Sequence, residues 1–221
     1  MSQSSTSMTI AYRPKFLLDK GSGAVTKKES SIEEPVDLLA GLDEVGTGSL
    51  AGPCTVAVAV FPANANPIPG VTDSKKLTPA KRKELAPIII EKAVYVGIGW
   101  SSSNVINEFG LAEAWRRAAL DALEHMPQVQ TLYVDGIRMV DGYEGAQHTI
   151  VKGDSKMWQI GAASIVAKVL RDTEMEDMDR IYPGYGWLKN KGYGTQAHIA
   201  ALKKIGLSPI HREKFTLKIL L

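Results

Sequence analysis

The stretch LLAGLDEVGTGSLAGPCTVAVAVF, residues 38–61, decides the fold. Its first half is apolar until it breaks on Asp43-Glu44, and GTGSLAGP then supplies a Gly/Pro turn. Cys54 to Phe61 is apolar and β-branched, the composition of a buried strand. Residues 93–100, AVYVGIGW, give a third strand of the same kind. Strands following one another this closely predict an antiparallel meander.

Downstream, helical signals take over. Thr78-Pro79 pairs an N-cap hydroxyl with proline at the first helical position, and Pro87 predicts a kink or an early end to that helix. Leu111, Trp115, Ala118, Ala122 and Met126 recur at helical spacing, so residues 111–125 form a helix with a core-facing stripe. Thr131–Asp135 (TLYVD) is a short strand ending on an acid. Ile160, Ala163, Ala167 and Leu170 mark another helix, with Pro183 closing the region. The order β-β-β-α-β-α predicts an α/β domain with a mixed β-sheet flanked by helices. Residues 37–221 make up this domain. Residues 1–36, where GSGAVTKKESSIEEP has neither helical nor strand periodicity, are expected to be a flexible or loosely packed tail. The apolar piece Phe16–Leu18 within it is suited to docking on the body.

Composition narrows the function. The chain has 221 residues, 44% hydrophobic and 23% charged, a balance that fits one soluble domain with a real core. No apolar run approaches the ~18–20 residues of a membrane helix, and the polar start lacks a secretory apolar segment. One cysteine, Cys54, cannot form an intrachain disulfide, and no Cys/His cluster has zinc spacing. The expected location is the reducing cytoplasm, with no membrane partner. A monomer is expected because no apolar stripe is left over for a partner. From Lys152 onward twelve Lys and Arg face seven Asp and Glu, a net of +5, while the remainder carries −3. A basic C-terminal third beside an acidic remainder suits a polyanion handled next to metal-binding carboxylates.

Four acids sit where structure alone favours something else. Asp43 and Glu44 interrupt a buried-type strand, Asp135 ends TLYVD, and Asp172 follows the apolar stripe in KVLRD. Singly, Asp135 reads as a turn former or cap, and Asp172 as a solvated residue pairing with Lys168 at i, i+4. Charge at the end of a buried strand is costly unless paired or metal-bound, so Asp43-Glu44 carries more weight. Adjacent strand residues point to opposite faces, and these two share one site only if the strand bends, which glycines at 46 and 48 permit. Together the four form a hard oxygen site suited to Mg²⁺ or Mn²⁺ rather than zinc. Two such ions can clamp the attacking and leaving oxygens of a phosphodiester.

The ordered blocks LAGLDEVGTGSLAGP, VTDSKKLTPAKR, YVDG, VKGDSKMWQIGAASIVAKVLRD, YPGYGWLKNKGYGT and SPIHREKF resemble the type 2 ribonuclease H family, in its bacterial ribonuclease HII form. The match runs from about Leu39 to Phe215. The resemblance implies an RNase H-like fold with a C-terminal helical extension and a two-metal endonuclease. Its substrates would be the RNA strand of RNA–DNA hybrids and DNA duplexes containing ribonucleotides, cut to leave 5′-phosphate and 3′-hydroxyl ends. By motif position the catalytic and metal-binding acids are Asp43, Glu44, Asp135 and Asp172, the same four that the residues themselves single out. Ribonuclease HIII shares part of the pattern but carries a larger N-terminal domain than residues 1–36 suggest.

A glycine-rich loop lets the backbone approach a 2′-hydroxyl, the one group that distinguishes RNA at a given sugar. The family's Gly-Arg-Gly is Gly46-Thr47-Gly48 here, and Ser49 stands in place of the usual proline. Thr47 is expected to weaken substrate positioning without abolishing cleavage. Tyr193 matches the tyrosine that packs against the sugar on the DNA side of the junction. Lys75, Lys76 and Lys152 resemble phosphate-contacting positions, Asp154 an orienting group, and His211-Arg212 is as readily structural as functional. The Trp115 and Ile160 stripes read as core. The competing class is a non-catalytic nucleic-acid-binding protein on the same fold. Against it, a binder would gain nothing from four acids facing phosphate.

Overall fold

The computed structural model describes residues 23–27 and 37–220. At its centre is a six-stranded sheet in the order β1-β4-β3-β2-β5-β6. The strands are β1 (Gly23–Lys27), β2 (Leu38–Val45), β3 (Cys54–Pro62), β4 (Tyr95–Ser101), β5 (Thr131–Asp135) and β6 (Gln147–Ile150). β2, β3 and β4 pair antiparallel as the expected meander, and β5 and β6 continue the sheet in parallel from β2. The helices are α1 (Pro79–Lys92), α2 (Ser103–Phe109), α3 (Leu111–Leu123), α4 (Trp158–Ile181), α5 (Trp187–Asn190), α6 (Gln196–Ile205) and α7 (Glu213–Leu220). None of the described helices is long and apolar enough to cross a membrane.

β3 is buried at every position but its last because helices cover both faces of the sheet. On one face Val56, Val58 and Val60 pack with Trp115, Ala118 and Ala122 of α3. On the other, Ala57 and Ala59 pack with Leu85 and Ile89 of α1 and Ala163 and Val166 of α4. Small residues set the spacing. A Cβ on Gly97 or Gly99 of β4 would land on the Ala122 or Ala118 carbonyl of α3, and one on Gly41 would land on the backbone of α4 at Gln159 and Ile160. The C-terminal extension is real: α5 to α7 join the end of α4 through a separate cluster that includes Leu50, Met175, Tyr185, Trp187 and Ile210.

Three details depart from the sequence-based expectation. α1 lies between β3 and β4 in the chain, so the meander's second connection carries a helix and the order runs β-β-α-β. That helix does not end at Pro87 but continues to Lys92. Pro87 and Lys83, whose carbonyl loses its N–H partner, are both exposed, so solvent can satisfy the freed group. Thr78 caps the helix as expected, its Oγ1 accepting the Lys81 N–H at 3.2 Å. Gly23–Lys27, within the expected tail, forms edge strand β1 against β4, with an irregular register between Ala24 and Thr26. An edge strand takes its backbone hydrogen bonds from one neighbour and needs no alternating pattern. The other residues of the expected 1–36 tail, Phe16–Leu18 included, lie outside the described residues.

Candidate active site

β2 and β5 run parallel with Leu42 beside Val134. The residues that follow, Asp43 and Asp135, therefore lie side by side at the carboxyl ends of neighbouring strands, where α/β domains gather ligands. Alternation sends the two neighbours on β2 to opposite faces. The Asp43 carboxylate turns toward α4, where Ser164 hydrogen-bonds it, and also accepts the Glu44 N–H at 2.7 Å. The Glu44 carboxylate turns toward α3 and accepts the Trp115 indole N–H at 3.3 Å. Asp135 is held by the Gly153 N–H at 2.6 Å, donated from the turn after β6.

These three acids oppose one another. Burial pushes the Asp43 carboxyl well above the usual carboxylate range, and the charges of Glu44 and Asp135 push it further, against the Ser164 hydrogen bond. Glu44 is raised by burial too and by Asp135, with Trp115, Lys75 and Arg138 pulling the other way. Asp154 is raised by burial and by the charges of Asp73 and Asp135. Asp172 stands apart. It lies on α4 one turn past Lys168, whose Nζ is 2.7 Å away, and the Arg82 guanidinium is 3.8 Å off. The i, i+4 partner suggested by spacing is thus taken.

As they stand, no three His, Cys, Asp or Glu side chains among the described residues close around a common point as a metal cage. The donor chemistry nonetheless fits a hard divalent cation. Oxygen is the only donor type present, and the Asp43 and Glu44 carboxyls are raised by burial and by the nearby Asp135 charge, a tension that added positive charge relieves.

The loop beside the acids is held by buried arginines. Gly46 has φ +89°, and a Cβ there would strike the Arg171 side chain and the Pro53 carbonyl, so only glycine serves. Arg171, fully buried on α4, donates to the Pro53 carbonyl (2.9 Å), the Ala51 carbonyl (3.1 Å), the Ser49 hydroxyl (2.9 Å) and the Lys191 carbonyl (2.9 Å). Arg212, also fully buried, donates to the Gly52 carbonyl at 2.9 Å and the Thr47 carbonyl at 3.1 Å. Gly48, in contrast, is open: a Cβ there would meet nothing within 4 Å.

Tyr193 joins this loop through a backbone bridge to Ser49, and its ring lies 5.5 Å from the Arg171 guanidinium and 5.6 Å from Lys168 Nζ. Two buried histidines support it. His211 Nδ1 accepts the Ser208 N–H at 2.8 Å, so its proton sits on Nε2, 3.1 Å from His198 Nε2. That places the His198 proton on Nδ1, which donates to the Tyr193 carbonyl at 3.0 Å. Burial holds both imidazoles neutral, His211 down at about 4.

Of the residues expected from sequence, Asp43, Glu44 and Asp135 lie at the same end of β2 and β5, close enough for their charges to act on one another. They are not closed on a common point, because β2 stays in register with β3 through Val45 without the expected bend. Gly46, Thr47 and Gly48 follow on the chain, and Tyr193 bridges to Ser49 beside them. Lys75 is exposed and close enough to act on Glu44 and Asp154. Lys76 is exposed on the same turn. Lys152 is exposed with left-handed backbone (φ 57°), immediately before the Gly153 N–H that holds Asp135. Sequence reasoning missed Arg171 and the part Trp115 plays at Glu44, and it noted Ser49 only as a departure from the family pattern, not as a partner of Arg171. Arg171 falls one turn past Ala167, on the apolar stripe of α4, and a charge on that stripe was the available signal.

A mixed sheet of this order, with carboxylates at the ends of its central strands and helices on both faces, is an RNase H-like nuclease fold. The ribonuclease HII family profile matches residues 40–218. Ribonuclease HII of Lactobacillus helveticus is 48% identical over 215 residues, covering 94% of this chain and 84% of its own length. That of Leuconostoc citreum is 44% identical over 181 residues, covering 81% and 68%. Among solved structures, ribonuclease H2 from Pyrococcus horikoshii superposes with a TM-score of 0.69 at 28% identity, over 82% of this chain and 96% of that one. The chain belongs to the ribonuclease HII family and is a ribonuclease H, an endoribonuclease.

Proposed function

We propose that this chain cuts the RNA strand of RNA–DNA hybrids and incises duplex DNA at embedded ribonucleotides, leaving 5′-phosphate and 3′-hydroxyl ends. The observation that carries this reading is the pairing of mutually repelling, desolvated carboxylates with an adjacent glycine loop whose backbone is pinned from below. Asp43, Glu44, Asp135 and Asp172 would hold two Mg²⁺ or Mn²⁺ ions. When bound, such ions supply a metal-activated water and stabilise the charge developing on the phosphodiester, so no protein nucleophile is needed. Trp115 orients Glu44, and the Gly153 N–H orients Asp135. The open backbone at Gly48 offers close approach to a ribose 2′-hydroxyl.

The ring of Tyr193 lies against the sugar on the DNA side, where a ribose would crowd it. Thr47 contributes only its backbone carbonyl to the described contacts, so the phosphate contact of an arginine at this position is lost. Lys75, Lys76 and Lys152 contact backbone phosphate, and the enzyme works in the cytoplasm. Cleavage-site mapping on three duplexes (all DNA, one embedded ribonucleotide, RNA–DNA hybrid) with Mg²⁺ or Mn²⁺ tests the reading. Cleavage of the last two alone supports it, and cleavage of the all-DNA duplex defeats it. Tyr193→Ala should impair incision at a single ribonucleotide while leaving the melting temperature nearly unchanged.

A further inference from the structure

A cleft of about 320 Å³ opens between α1, α4 and α5, and Lys75, Lys76 and Lys152 are not part of its lining. Five cations line it, Arg82, Lys83, Lys168, Lys189 and Lys191, against only two carboxylates, Asp172 and Glu176. The least exposed cations are paired, Lys168 with Asp172 at 2.7 Å and Lys191 with Glu176 at 2.9 Å, their side chains 16% and 14% exposed, and the lining keeps a net of three positive charges. A partly enclosed cleft with one sign of charge in excess focuses its field on an anion. Lysines act as compact point charges, which suits the single oxygens of a phosphodiester better than a planar carboxylate.

Position makes the ligand more specific. Asp172, one of the four acids, forms part of the lining, and Lys168 reaches from the cleft to within 5.6 Å of the Tyr193 ring centre. On the function proposed above, with a ribose at Gly46–Gly48 and the next sugar on Tyr193, the following phosphates would fall on the side where Lys168 joins Tyr193 to the cleft. We propose that the cleft seats backbone phosphates of the cleaved strand on the DNA side of the junction, an inference that rests on the function proposed above. A phosphate there competes with Asp172 for Lys168, so seating the strand loosens the 2.7 Å pair and frees the carboxylate.

Two exposed rim lysines allow a test that leaves the Lys168–Asp172 and Lys191–Glu176 pairs in place: Lys189, and Lys83, which reaches Glu176 at 3.7 Å. Anisotropy of an end-labelled DNA duplex bearing one ribonucleotide, titrated in EDTA over a salt series, reads the number of phosphates engaged. Lys83→Ala and Lys189→Ala should each weaken binding and lower the log K against log salt slope by about one. Lys92→Ala, an exposed lysine outside the cleft, should leave the slope unchanged. If both rim variants keep the parent slope, or Lys92→Ala lowers it equally, the inference falls. A parent that cuts as proposed while the slopes stay fixed defeats this inference alone. A parent that neither binds nor cuts defeats the proposed function, and this with it.

Discussion

At the sheet edge Asp43, Glu44 and Asp135 bring negative charge together with burial raising two of them and repulsion adding to it. A few residues along, Arg171 and Arg212 are fully buried and form no ion pair with another described residue, yet carbonyl oxygens accept from each of them, joined at Arg171 by the Ser49 hydroxyl. The two regions therefore spend buried charge differently. The arginines have hydrogen-bond partners within the fold and act as pins, so deleting one orphans its acceptors. The acids are left in tension, which is useful only where a cation is to be admitted. Neutralising a charge should thus have opposite effects on stability in the two regions.

The largest effect concerns activity. Asp135→Asn should cut cleavage of a duplex bearing one ribonucleotide by at least ~10³-fold, the scale of several kcal/mol of lost charge stabilisation. Retained turnover would remove this acid from the site. On the pinned side, Arg212→Ala strands the Gly52 and Thr47 carbonyls and should lower unfolding free energy by about 3 kcal/mol in urea melts.

The histidines give that side a pH dependence. His211 is held at about 4 against an ordinary 6.5, so between those values the unfolded chain binds a proton that the folded one refuses. Stability contributed by the neutral ring is present above about pH 6.5 and is lost as pH falls toward 4, by the order of 2 kcal/mol. The stability difference between parent and His211→Gln should shrink over that window in thermal melts, and a constant difference would refute it. On the acid side the sign reverses. The raised pKa of Asp43 means that its stability contribution is lost as pH rises, so Asp43→Asn in EDTA at neutral pH should stabilise the fold by about 1 kcal/mol. A lowered melting temperature would erase the contrast between the regions. Smallest is Thr47→Arg: an added exposed cation is worth up to about fivefold in kcat/KM at an embedded ribonucleotide, and unchanged kinetics would show that the loop gains nothing from it.

Much of this was legible in the sequence because the dominant signals are local. The apolar run of β3, the stripe of α3 and the acids at strand ends each declare themselves within a few residues. β6 was not, since Gln147–Ile150 is a half-exposed edge strand with no hydrophobic pattern to show. Nor was β1, whose pairing depends on β4 rather than on its own side chains. At the site, chain proximity misleads. Asp43 and Glu44 are neighbours that turn to opposite faces, while Asp43 and Asp135 come from strands far apart in sequence. The sequence places Trp115 in the core, and it is core, but a buried indole N–H needs an acceptor, and here that acceptor is Glu44.

The bare positions on β4 extend that last point. Gly97 and Gly99 let α3 settle directly onto the sheet, and α3 is what carries the indole to Glu44. An alanine at either position would jack the helix outward and draw the indole away from its carboxylate. Two residues with no functional group, on a strand that bears none of the acids, thereby govern how one acid is aimed.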